Sequence, residues 1–122
     1  MRKLYLILLC FLFLSSCSTP NYKPRDYPSA LIINADLQIE VKLTYGTPKG
    51  CKVNLTILNK TSKNFDSVYV EVSVYDFSGN NIDMVNFINA IGKFETLKRD
   101  RTFFKYECYD IGDIKITKTS YR

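Results

Sequence analysis

The sequence predicts an all-β fold, a sandwich of about seven short strands behind a start of different character. Three observations predict it. Apolar and polar residues alternate with period two over most of residues 37–116, turn signals separate the runs, and no convincing helix follows residue 16. The 122 residues, 46% hydrophobic and 24% charged, suit one globular domain.

The first run sets Leu37, Ile39, Val41, Leu43 and Tyr45 on one face, against Gln38, Glu40, Lys42 and Thr44 on the other. Gly46, Pro48 and Gly50 then reverse the chain. The second run places Cys51, Val53, Leu55 and Ile57 on one side, so the two runs form a hairpin. A third run carries an inward stripe of Val68, Val70, Val72 and Val74, opposite Tyr69, Glu71, Ser73 and Tyr75. Its turn is Ser78, Gly79, Asn80 and Asn81, residue types that tolerate positive φ. Residues 82–91 fit neither period, and we expect a bulged strand or an irregular crossing. A short strand at 94–97 and a charged, solvated loop at Lys98, Arg99, Asp100 and Arg101 follow. Alternation resumes over 102–109, with Phe104, Tyr106 and Cys108 on one side, and Ile114 and Ile116 belong to the last strand.

Residues 1–17 divide into three zones: the cations Arg2 and Lys3, an apolar stretch at 4–14, and Ser15 and Ser16 before Cys17. These are the parts of a secretory signal. As a helix the apolar stretch reaches about 16 Å, roughly half a bilayer's hydrocarbon core, which is too short for a span. The sequence Leu14-Ser15-Ser16-Cys17 resembles the lipobox of bacterial lipoproteins. That resemblance implies cleavage after Ser16, a diacylglycerol thioether on the Cys17 sulfur, and further acylation of the palmitate type. Small residues beside a nucleophilic thiol suit that chemistry. Several acyl chains, at about 0.8 kcal/mol per buried CH₂, anchor firmly where one binds marginally. Ser18 after the cysteine, rather than aspartate, implies outer-membrane sorting by the enteric rule, facing the periplasm or the surface.

The expected organisation is therefore a signal peptide at 1–16, a lipidated N-terminus and tether at 17–29, and a sandwich domain at 30–122. Pro20, Pro24 and Pro28 recur every four residues and make the tether a semi-rigid spacer. Tyr22, Lys23, Arg25 and Tyr27 are of the types that touch lipid headgroups, but the stretch reads first as a plain linker.

Tyr106-Glu107-Cys108 resembles the Tyr-x-Cys of an immunoglobulin strand, with Cys51 57 residues earlier, near the immunoglobulin interval. Residues 72–76, Val-Ser-Val-Tyr-Asp, resemble the signature of the F-x-L-Y-D immunoglobulin-like domains of prokaryotic envelope proteins. Tyr75 and Asp76 match, valines replace the phenylalanine and leucine, and the chain has no tryptophan. The resemblance implies an immunoglobulin-like sandwich. Cys10 leaves with the leader and Cys17 takes lipid, so Cys51 and Cys108 remain. An even pair in an oxidising compartment favours a disulfide, the alternative being two buried thiols that never meet.

The chain has no histidine, which removes the commonest general base and metal ligand. There is no CxxC and no glycine-rich phosphate loop, and Asp110 and Asp113 read as turn residues rather than calcium ligands. We expect no enzyme, no cofactor and no metal. Formal charge is +5, falling to about +3 without the leader, and spread along the chain, so nucleic acid is not an expected partner. The expected function is a non-catalytic envelope lipoprotein, held to lipid through Cys17 and offering strand edges or loops to a protein partner. The alternative is a small ligand or glycan stacked on Tyr69, Tyr75 and Phe77, the candidate binding surface.

Overall fold

The computed structural model describes residues 27–45, 50–103 and 105–122. The leader, Cys17, the tether to residue 26, most of the first hairpin turn and Phe104 lie outside the described residues. Seven strands follow in order: β1 (Ser29–Ile33), β2 (Leu37–Tyr45), β3 (Cys51–Asn59), β4 (Phe65–Tyr75), β5 (Asn81–Ile91), β6 (Thr96–Phe103) and β7 (Asp113–Tyr121). Between β6 and β7 a 3₁₀ turn spans Cys108–Asp110.

Two antiparallel sheets result, β1-β2-β3-β6 and β5-β4-β7. They face each other as the expected sandwich. In an immunoglobulin constant domain the second strand pairs the fifth. Here β2 pairs its own hairpin partner β3, with Tyr45 opposite Cys51 and Leu37 opposite Asn59. The four- and three-stranded division is shared and the strand order is this chain's own.

The alternation read from sequence builds the core. Leu37, Ile39 and Val41 from β2, and Val53 and Ile57 from β3, are fully buried against Val68, Val70, Val72 and Val74 of β4. Each such side chain contributes about 1.5–3 kcal/mol on leaving water. Cys51 at the start of β3 is bonded to Cys108 in the 3₁₀ turn. The disulfide therefore ties the segment after β6 back to the start of β3 in the same sheet, before the chain crosses to β7.

Three readings need correction. Residues 98–101 are not a loop: they lie inside β6, paired with β3, with Leu97 opposite Ile57 and Phe103 opposite Cys51. The strand expected over 102–109 ends at Phe103, and Cys108 sits in a helical turn. The even-numbered face expected there is one residue out of phase with the inward set of Leu97 and Phe103, the slip that period two most easily hides. Between those two, Arg99 and Arg101 share the inward parity. Arg101 lies over the Phe87 ring at 5.8 Å, and Arg99 Nε donates to Asn89 Oδ1 at 3.1 Å. These arginines cover the open side between β6 and β5, and charge on an exposed edge resists strand addition. Third, residues 29–33, unassigned in the sequence, form edge strand β1 on β2.

Residues 82–91 are a strand, β5. It pairs β4 with register shifts at each end. Val85, Phe87 and Ile91 face inward, while Met84 and Ile88 are exposed on the opposite face, which is why neither period showed.

Candidate functional site

The outer faces of the two sheets differ. On the four-stranded sheet the outward positions of β2 and β3 are Gln38, Glu40, Lys42, Lys52, Asn54 and Thr56, and edge strand β1 adds exposed Leu31 opposite Glu40 and Ile33 opposite Gln38. On the three-stranded sheet, central strand β4 turns Tyr69, Glu71, Ser73 and Tyr75 outward. Across from them β5 sets Ile88 opposite Tyr69 and Met84 opposite Ser73. Ile88 is 66% and Met84 50% exposed. On the other side β7 sets Ser120 opposite Tyr69, Lys118 opposite Glu71 and Lys115 opposite Ser73.

Local chemistry holds this face in one arrangement. Lys115 lies over the Tyr75 ring at 5.2 Å and Lys118 over Tyr69 at 5.8 Å, contacts that position a cation on an aromatic face. The Tyr69 hydroxyl donates to Glu71 Oε2 at 3.0 Å, and that bond raises the phenol above its ordinary pKa. A bulge in β7 falls between Ile116 and Lys118. It brings the Thr117 hydroxyl to 3.1 Å from that of Ser73 and 3.4 Å from Glu71 Oε1. Bulges re-aim side chains in this way.

The three candidate residues are not one patch. Tyr69 and Tyr75 share the sheet face, six residues and about 20 Å apart along β4. Phe77 lies beyond the strand, 65% exposed, at the pole where the tether enters. There it lines a recess of about 210 Å³ with Tyr27, Pro28, Tyr109 and Ile111. Sequence reasoning missed Met84, Ile88, Lys115 and Lys118. The signal was present in the two apolar residues that break the inward pattern of 82–91.

Asp76 shapes the turn between the face and that recess. Its Oδ1 accepts the amides of Asn80 and Ser78, each at 2.9 Å, and its Oδ2 accepts the Asn80 side-chain amide at 3.3 Å. These bonds, the Asn80 amide foremost, hold the carboxyl below its ordinary pKa despite an opposing effect of desolvation. Gly79 completes the turn at φ 85°. Gly112 passes so close that a Cβ there would lie 2.5 Å from the Asp76 carbonyl oxygen, which only glycine permits. A depressed carboxylate pKa contributes stability that is complete above the unfolded value near 3.9 and lost as pH falls through the lower folded value. An NMR titration is expected to show Asp76 protonating below the usual range, with exchange protection of the Ser78 and Asn80 amides lost over the same interval.

No family model matches this chain, and no curated protein does. Among solved structures it is similar to the trimeric lipoprotein SadB of Salmonella enterica, at 9% identity and a TM-score of 0.45. That match covers 99% of this chain and 78% of the other.

Proposed function

We propose that the chain is a lipid-anchored, non-catalytic protein of the bacterial envelope whose three-stranded sheet docks a protein partner. The observation that carries this reading is the three-stranded face, which displays Ile88, Met84, Tyr69 and Tyr75 with lysines fixed over the two rings; the four-stranded face is polar along β2 and β3 and carries its exposed apolar residues, Leu31 and Ile33, on edge strand β1. Aromatic residues and methionine are enriched at interfaces, and an exposed apolar patch rimmed by polar groups is a common mark of one. The Glu71 carboxylate is engaged by Tyr69 and Thr117, which fixes the polar centre of the face. Lipid enters through Cys17, on the strength of the Leu14–Cys17 motif, with the outer membrane as the location that Ser18 favours.

An amine-reactive crosslinker applied to intact cells tests the docking face. Crosslinks to one protein are expected to concentrate on Lys115 and Lys118, and to fall sharply in a Tyr69→Ala, Ile88→Ser variant. Crosslinks spread evenly over Lys42, Lys52 and Lys98 would contradict it. A second reading has its own observation, a recess of about 330 Å³ lined by Tyr69, Ile88, Lys118, Ser120, Tyr121 and Arg122. A stacking ring beside hydroxyls and cations suits an acidic sugar, and saturation-transfer NMR signals from uronic-acid oligosaccharides would favour that reading.

A further inference from the structure

At the pole opposite the tether two loops pack together, residues 60–64 after β3 and residues 92–95 after β5. The Phe94 amide donates to Thr61 O at 3.0 Å, the Lys93 amide to Asn64 Oδ1 at 2.9 Å, and the Asn59 amide to Glu95 O at 2.9 Å. Asn59 Nδ2 donates to Gly92 O at 2.9 Å and to Lys63 O at 2.7 Å. The turn itself closes with the Glu95 amide on Gly92 O at 3.2 Å, and Phe94 is its third residue, at φ 53°. That position favours glycine or asparagine, and a bulky residue there is an outlier. Phe94 is also 64% exposed. A glycine would fit the backbone better and spare water an aromatic ring, so the turn's own needs do not account for phenylalanine.

Lys60, Lys63 and Lys93 are exposed on the same two loops, with Glu95 the one carboxylate among residues 60–64 and 92–95; Lys60 Nζ reaches to the Asn34 carbonyl, and Asp36 and Asp66 stand at the same pole, so Lys63 and Lys93 are the cations set beside Phe94 in the loops. A ring on a fixed support within a cationic rim is complementary to an apolar pocket with an acidic rim. The tether enters at the other end of the sandwich, where Tyr27 and Pro28 line the recess beside Phe77. A strand of eleven residues, about 36 Å, separates the two poles, so a tethered domain presents Phe94 away from its lipid anchor.

We propose that these paired loops are a docking point for a protein partner bearing an apolar pocket edged by carboxylates, and that Phe94 is the side chain that enters it. This goes beyond the sheet-face reading and depends neither on that face nor on lipid at Cys17. The test places p-benzoylphenylalanine in place of Phe94 in the full chain, photolysed in cells that make the protein. The crosslinked protein is identified, purified and titrated against the wild-type chain, Phe94→Gly, and a triple Lys60→Glu, Lys63→Glu, Lys93→Glu variant. Phe94→Gly is expected to weaken binding by about tenfold or more without lowering the melting temperature, since glycine suits the turn. The triple variant is expected to weaken binding and reduce its salt dependence. Unchanged binding by Phe94→Gly would overturn the proposal. So would photoproducts that contain lipid alone, together with binding of the wild-type chain, but not Phe94→Gly, to phosphatidylethanolamine and phosphatidylglycerol vesicles.

Discussion

Replacing Cys51 and Cys108 together by alanine is expected to lower the unfolding free energy by about 4 kcal/mol. The bond closes a loop of 57 residues in separation, which takes in β3 to β6 and the turn that follows. In the chain-entropy account that closure restricts the unfolded chain far more than the folded one. A domain of this size has only about 5–15 kcal/mol of stability in all, so the loss is a large fraction. Both cysteines are fully buried, Cys51 at the start of β3 and Cys108 at the start of the 3₁₀ turn. Urea unfolding of the chain in oxidised, reduced and doubly substituted forms measures the effect. The midpoint is expected to fall and the slope to rise as the uncrosslinked chain expands further on unfolding. Coincident curves with and without reductant would contradict the pairing.

The second large effect is expected at Asn59, where alanine should cost about 3 kcal/mol. Asn59 is fully buried at the end of β3. Its amide nitrogen donates to Lys63 O and Gly92 O, while its Oδ1 accepts the Thr61 amide at 2.9 Å and the Thr61 hydroxyl at 2.7 Å. One side chain thus joins the β3–β4 loop to the β5–β6 crossover. Alanine leaves two carbonyls and an amide without that partner, at about 1–3 kcal/mol for each buried group less what entering water restores. Asn59→Asp should do no better, because a carboxylate would face the same two carbonyl oxygens. Hydrogen exchange locates the damage, with the Thr61 and Phe94 amides expected to lose protection before the β3 and β4 ladders do. Uniform loss across both sheets would contradict a local role.

Asn59 also shows where sequence reading stops. Asn59-Lys60-Thr61 has the spacing of a glycosylation sequon, and in the fold the same spacing lets Thr61 bond to Asn59 as a local hub. The bacterial lipobox sets glycosylation aside, but nothing in the linear chain announces the hub. By contrast β2, β3 and β4 were legible because each is half buried and keeps strict alternation, down to the four valines of β4. The trouble came at the edges. β5 carries exposed Met84 and Ile88 on one face and Asn89 at an inward parity on the other, and β6 carries Arg99 and Arg101 where a core strand has apolar groups. An edge strand needs only its covered part to be apolar, so the period fades where the partner sheet ends. For the candidate site, Tyr69 and Tyr75 were visible as the wet side of a clear strand. The lysines of β7 were not, because a bulge at Thr117 sets their register against β4.

The Phe77 result has the same origin. Parity along a strand places residues on a face only while the strand lasts, and β4 ends at Tyr75. Past that point Asp76 takes over, and its bonds to Ser78 and Asn80 send the chain round to the pole.

The most direct test of a lipid-anchored interaction module is the intact mass of the protein recovered from the membrane fraction, with and without Cys17→Ala. The account predicts a chain beginning at Cys17 that carries the added mass of a diacylglycerol thioether, and a Cys17→Ala chain that lacks that mass and keeps residues 1–16. A mature chain without acyl mass, or a Cys17→Ala chain cut and acylated like the wild type, would contradict it.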